Sequence, residues 1–118
     1  MGQLVRILAL LMPLLGMVLL PYARLGSAQE ITFTAEFLNN AENIALGKQL
    51  WAKRCQFCHG KESYPGSAPP LQPWRYQPEF VYDRITNGFR GMPALHQEFS
   101  VVERQAIVAY VLSREFSP

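Results

Sequence analysis

The hydrophobic residues of this chain fall into distinct patterns, and each predicts a different element. Residues 4–20 are apolar apart from Arg6, with Pro13 and Gly16 interrupting the run. In the following stretch, QEITFTAEF, Ile31 and Phe33 alternate. That stretch can be an arm laid on a domain, a tether, or a partly ordered terminus, and the last is the default for such a segment. From Ile44 the period changes: Ile44, Gly47, Leu50, Trp51 and Cys55 share one face of a helix. Asn39 or Asn40 can cap its start, and Glu42 stands three residues past Asn39, where a capping-box partner belongs.

Residues 60–78 contain Pro65, Gly66, Pro69, Pro70, Pro73 and Pro78. So much proline predicts a loop, since proline removes a donor and fixes φ. Pro78 fits the first turn of a second helix that buries Phe80, Val81 and Ile85 and ends near Asn87, with Gly88 as its stop. Residues 88–95 form a further loop. Ser100 and Glu103 make a capping box for a last helix, whose apolar set is Val101, Ala106, Ile107, Tyr110 and Val111. No strand pair, internal repeat or long disordered tract interrupts this pattern.

At 118 residues the chain has room for one domain and a short targeting segment. Residues 1–28 have the form of a signal peptide. Arg6 supplies the positive end, residues 7–20 the apolar stretch, and Gly26-Ser27-Ala28 the small residues for cleavage. The run is shorter than the ~20 residues of a spanning helix, and an uncleaved N-terminal anchor is the alternative. Residues 29–40 are then an extension and residues 41–118 the domain. The formal charge of +2 resides in Arg6 and Arg24. Without them basic and acidic residues balance, which gives no case for nucleic acid; any docking field must come from charge placement.

The chemistry concentrates in Cys55-Gln56-Phe57-Cys58-His59. Two thiols separated by two residues, with a histidine at once behind, form the attachment pattern of a c-type haem. Each thiol can add to one porphyrin vinyl group, and the adjacent imidazole is placed to reach the iron. The chain has two cysteines, both here. Its histidines are His59 and His96, and of four methionines only Met92 lies beyond the N-terminal segment. Met92 sits in Gly88-Phe89-Arg90-Gly91-Met92-Pro93, so both ligands of a His/Met iron are present. Three other readings of the cysteine pair stand beside this one. A thioredoxin-like pair normally belongs to a βαβ setting. A plain disulfide suits an exported chain. A Cys2His2 zinc site would need His59 and His96, whose spacing is unlike that of zinc fingers.

With the motif, the methionine loop and flanking helices in this order, the chain from about Asn43 onward resembles a class I cytochrome c of the short bacterial or photosynthetic-lumen type. The resemblance implies an all-α fold, about three helices wrapped around one covalent haem c, held by Cys55 and Cys58 and ligated by His59 and Met92. It implies that Gly47 and Trp51 meet Ile107 and Tyr110 where the terminal helices cross. It assigns the Pro69 carbonyl, in Pro69-Pro70-Leu71, as acceptor for the outer ring nitrogen of His59. Trp74, Arg75 and Tyr76 carry donors that could reach haem propionates, and His96 is the competing iron ligand.

The function implied is one-electron transfer between larger redox proteins, by a monomer in the periplasm, at the outer face of the cytoplasmic membrane or in a thylakoid lumen. Membrane attachment follows only if the leader is retained. Lys48, Lys53, Lys61, Arg75 and Arg90 are candidates for a docking rim. No constellation for substrate catalysis accompanies the motif. The alternatives are a dedicated electron-transfer subunit of a dehydrogenase or oxidase complex, and a gas-binding or peroxidatic haem protein.

Overall fold

Two asparagines in succession, Asn39 and Asn40, separate two helices. In the computed structural model, which describes residues 30–61 and 66–116, Asn39 closes α1 (Ala35–Leu38) through its backbone and side-chain N–H groups, both donating to the Ala35 carbonyl. Asn40 opens α2 (Ala41–Leu50): its side-chain oxygen accepts from the N–H groups of Glu42 at 2.9 Å and Asn43 at 3.1 Å. The cap is therefore Asn40, and no Asn39–Glu42 box forms. The signal-peptide expectation for residues 1–28 lies outside the described residues.

Past Leu50 the helix widens into a π-turn, Trp51–Cys55, in which the Gln56 N–H reaches back to the Trp51 carbonyl. A single-turn α3 (Gln56–His59) follows and stops at Gly60, whose φ of 78° favours glycine. Among the described residues of the proline-rich stretch, 66–77 are irregular but for a 3-10 turn at Pro73–Arg75. Pro78 opens α4 (Pro78–Asn87), and Gly88 ends it at φ 72°. The last helix, α5 (Val101–Val111), begins with the complete capping box: Ser100 Oγ accepts from the Glu103 N–H, and the Glu103 carboxylate accepts from the Ser100 N–H. Among the described residues there is no strand, only an isolated antiparallel bridge between Phe89 and Met92. The all-α expectation holds, with α2, α4 and α5 as the principal helices.

Helices α2 and α5 cross at Gly47. A Cβ at this position would lie 2.0 Å from the Ala106 carbonyl oxygen and 2.8 Å from Tyr110 Cβ, so only glycine lets the two backbones meet. Tyr110 is the partner expected; the other is the backbone of Ala106, not Ile107. Ile107 instead points into the core, where it is almost fully buried with Val108 and Phe116.

Trp51 and Tyr110 form edge-on aromatic contacts with Phe116 at 4.6 and 5.2 Å between centroids. Each such pair contributes ~0.5–1.5 kcal/mol beyond the area it buries. Residues 33–38 are also part of this packing. Phe33 stacks edge-on against Tyr82 at 5.8 Å, and Phe33 and Leu38 pack on the core. The extension is an arm laid on the domain, not a loose end.

Candidate functional site

The five residues of the cysteine motif span the π-turn and α3, and this junction sorts them by exposure. Cys55 is buried among Leu50, Trp51 and Ile85, whereas Cys58 is exposed; both are free thiols. Burial pushes the Cys55 thiol up to about 12. Phe57 beside Cys58 is 88% exposed, so α3 turns an apolar edge outward. His59 is half-buried, and burial lowers its pKa. Its ring lies 5.5 Å from that of Trp51.

Two contacts fix the chain behind His59. The Trp51 indole N–H donates to the buried Gly60 carbonyl at 3.3 Å, and the Ala68 N–H donates to the Cys58 carbonyl at 2.8 Å. Gly66 lies so close that a Cβ there would stand 2.2 Å from that same carbonyl oxygen. The loop is thus folded tightly onto the motif, although the bond expected from Pro69 is not made. His59 Nδ1 is buried and finds no hydrogen-bond partner among the described residues. A buried ring nitrogen without a partner is costly, and such groups mark sites of function.

His96 behaves in the opposite way. Its Nδ1 lies 3.0 Å from the Thr86 carbonyl, which can only accept, so this nitrogen carries the proton and the exposed ring is tied to the end of α4. Of the two histidines, the structure engages His96 locally and leaves His59 Nδ1 uncommitted. Among the described residues no three His, Cys, Asp or Glu side chains cluster as a metal site would require.

Met92 lies on a separate element and joins the motif through the core: it is half-buried against the cluster that contains Trp51 and Cys55. Its loop is closed by reciprocal backbone bonds, Phe89 N–H to Met92 O and Met92 N–H to Phe89 O, both 3.0 Å. Arg90 holds a left-handed φ of 53° within that turn. The close approach is at Gly88, where a Cβ would stand 2.5 Å from the Met92 carbonyl; a Cβ at Gly91 would meet no protein atom. Phe89, half exposed, is flanked by the guanidinium groups of Arg84 at 4.4 Å and Arg90 at 5.1 Å from its centroid.

Past Met92, the Leu95 N–H donates to the Ile85 carbonyl, and residues 95–99 form one helical turn. Arg104, buried on α5, holds the carbonyl end of that turn. One terminal nitrogen donates to His96 O at 3.0 Å and to Phe99 O at 2.7 Å; the other terminal nitrogen and Nε donate to the Tyr82 hydroxyl at 3.1 and 3.3 Å. Sequence reasoning missed Arg104. Its signal was present: the residue lies three, four and seven positions before Ile107, Val108 and Val111, in line with an apolar stripe.

The remaining candidates have local partners or open exposure. The Tyr76 hydroxyl accepts from the Gln72 N–H, Arg75 donates to the Gln72 side chain, and Trp74 is 74% exposed. Of the proposed rim, Lys48 pairs with Glu115 at 3.1 Å, Arg90 lies over Phe89, and Lys53 and Lys61 are exposed. Arg54, next to the motif, pairs with Glu98.

The donor set fits a covalently held haem. It offers two free thiols on adjoining turns, an imidazole neither of whose ring nitrogens is hydrogen-bonded to a described residue, and a thioether on the same core. The model of a protein family described as cytochrome c oxidase, cbb3-type, subunit III matches residues 42–111. No curated protein and no solved structure matches the chain.

Proposed function

Because the chain belongs to the c-type cytochrome family described as cytochrome c oxidase, cbb3-type, subunit III, and so is an electron-transfer haem protein carrying haem c, we propose that it is a mono-haem one-electron carrier between larger redox proteins. When bound, the haem supplies a one-electron ferrous/ferric couple. Cys55 and Cys58 would hold it through thioethers, and His59 and Met92 would ligate its iron. The observation that carries this reading is the contrast between the histidines: His96 is tied to the Thr86 carbonyl, while neither ring nitrogen of His59, beside the two thiols, is hydrogen-bonded to a described residue, which leaves the nitrogen opposite Nδ1 open for the iron.

Each element of the site has one part in this. The π-turn and α3 put one thiol in the core and one at the surface. Trp51 anchors the chain behind His59 through Gly60. The Phe89–Met92 turn, locked by Gly88, fixes where the thioether stands. Residues 1–28 serve as an export signal in this reading, which places the protein in the periplasm or an equivalent lumen, where c-type carriers meet their partners.

The test is addition of carbon monoxide to the reduced, haem-loaded protein near neutral pH. An unchanged optical spectrum is expected, because Met92 closes the sixth position; Met92→Ala should then form the adduct. Ready adduct formation by the unaltered protein overturns the carrier reading in favour of a gas-binding or peroxidatic one. The name of the matched family supports a second reading, an electron-transfer subunit of an oxidase. Co-purification with a membrane oxidase through high salt would favour the subunit, and weak, salt-sensitive encounters would favour the shuttle.

A further inference from the structure

Arg104 is out of place by every rule of helix design. It is a cation in the first turn of α5, where the helix dipole favours negative charge. It is also 7% exposed, and among the described residues its guanidinium is met by two carbonyls and a phenol and by no carboxylate. A buried charge in such a setting is weak evidence for stability, because removing it from water is costly. Its geometry accounts for its presence. The guanidinium is a rigid fork of five donors. Here it spans three parts of the molecule: α5, which carries it, α4 through Tyr82, and the turn at residues 95–99 that leads directly out of the methionine loop.

We propose that Arg104 is a positioning residue that latches the exit of the methionine loop and so sets how firmly the Met92 thioether is held in place. The loop is closed at its entrance by Gly88 and in its middle by the Phe89–Met92 bonds. Its exit depends on the Leu95 N–H bond to Ile85, the His96 ring bond to Thr86, and the two carbonyls held by Arg104. Arg104 is the one member of this set that ties the exit to a third helix. Without it the buried Phe99 carbonyl and the His96 carbonyl lose their donor, and the turn is left to its bonds to α4, the exposed Arg54–Glu98 pair and the burial of Leu95 and Phe99. The proposal rests on Met92 being the sixth ligand.

The test uses the haem-loaded ferric protein and imidazole as a competitor for the sixth position, with the ring-current-shifted Met92 methyl resonance of the reduced form as a second readout. Three variants are compared: Arg104→Leu; Tyr82→Phe, which removes only one acceptor; and Glu115→Gln, which breaks an exposed ion pair elsewhere. Loss of charge-assisted hydrogen bonds should raise imidazole affinity about tenfold in Arg104→Leu and about threefold in Tyr82→Phe. Glu115→Gln should match the unaltered protein. Affinities within about twofold of the unaltered protein in both latch variants overturn the proposal. Should Arg104→Leu fail to retain haem, Tyr82→Phe alone decides. If the unaltered protein lacks the shifted methyl resonance, Met92 is not a ligand, and the carrier reading fails together with the latch. A native resonance with unmoved affinities sinks the latch alone.

Discussion

Replacing Gly47 by alanine tests whether the helices cross in backbone contact. The added Cβ would start 2.0 Å from the Ala106 carbonyl oxygen and 2.6 Å from its carbon. A carbon–oxygen contact needs ~3.3 Å, so α2 and α5 must part by roughly 1.3 Å at this point. Neither obstacle is the end of a flexible side chain; both are backbone of a helix whose residues 106–111 are all buried. Overpacking of this kind costs ~1–3 kcal/mol, and the rigidity of the obstacle places Gly47→Ala at the upper end. Against this, alanine is the better helix former by about 1 kcal/mol. The net is a destabilisation of about 2 kcal/mol, or a fall in Tm of roughly 8–16 °C for a domain of this size. Thermal unfolding of the haem-loaded protein followed by circular dichroism measures it. A variant as stable as the parent, or more stable, would show helix propensity prevailing and refute a crossing in backbone contact.

Other outcomes follow from the same structure. In the haem-free folded chain, exposed Cys58 should be alkylated first and buried Cys55 at least about tenfold more slowly, because its thiol, at about 12, gives little thiolate; equal rates by mass spectrometry would refute the burial of Cys55. The Ser100 backbone N–H and hydroxyl hold the Glu103 carboxyl below its ordinary value of 4.5. A depressed folded-state pKa stabilises above the unfolded value, and that contribution is lost as pH falls below 4.5. Glu103→Gln should therefore flatten the acid limb of the stability curve and leave its neutral region nearly level, as denaturant titrations at several pH values would show.

What the sequence made legible is what neighbouring residues decide among themselves. Ser100 with Glu103, Pro78 with Gly88, and the cysteine motif are local codes, and the structure has the start of α5 and both ends of α4 in place, although α5 stops at Val111, short of the 114–116 its pattern allows. The part of Gly47 in the helix crossing came from the likeness rather than from the pattern, and Tyr110, expected there on the same ground, lies against it. The errors arose where distant elements choose between equivalent candidates. The sequence matches Glu42 to Asn39 as a capping box, whereas Asn40, the other candidate, caps α2 and leaves Asn39 to close α1. The face of α5 turned to Gly47 carries Ala106, because the bulkier Ile107 fills the core. Pro69 was assigned to His59 by likeness, and here the ring nitrogen stays unpaired. Arg104 could not be read as a latch at all, because its acceptors lie on the turn before its helix and on α4, and nothing in a linear pattern brings them together.

The widened turn at Trp51–Cys55 has a bearing on how this chain tolerates insertion and deletion. A π-turn inside a helix accommodates one additional residue locally, so the segments on either side keep the alignment of an uninterrupted helix. Loss of any one of the exposed residues Ala52, Lys53 or Arg54 would restore ordinary winding and leave the two thiols and the imidazole facing as they do now. The same loss within α2 would swing the whole motif by about 100° about the helix axis, carrying Cys55 out of the core. Within the helical run from Ala41 to His59, this turn is thus where the length can change by a single codon without turning the reactive residues away.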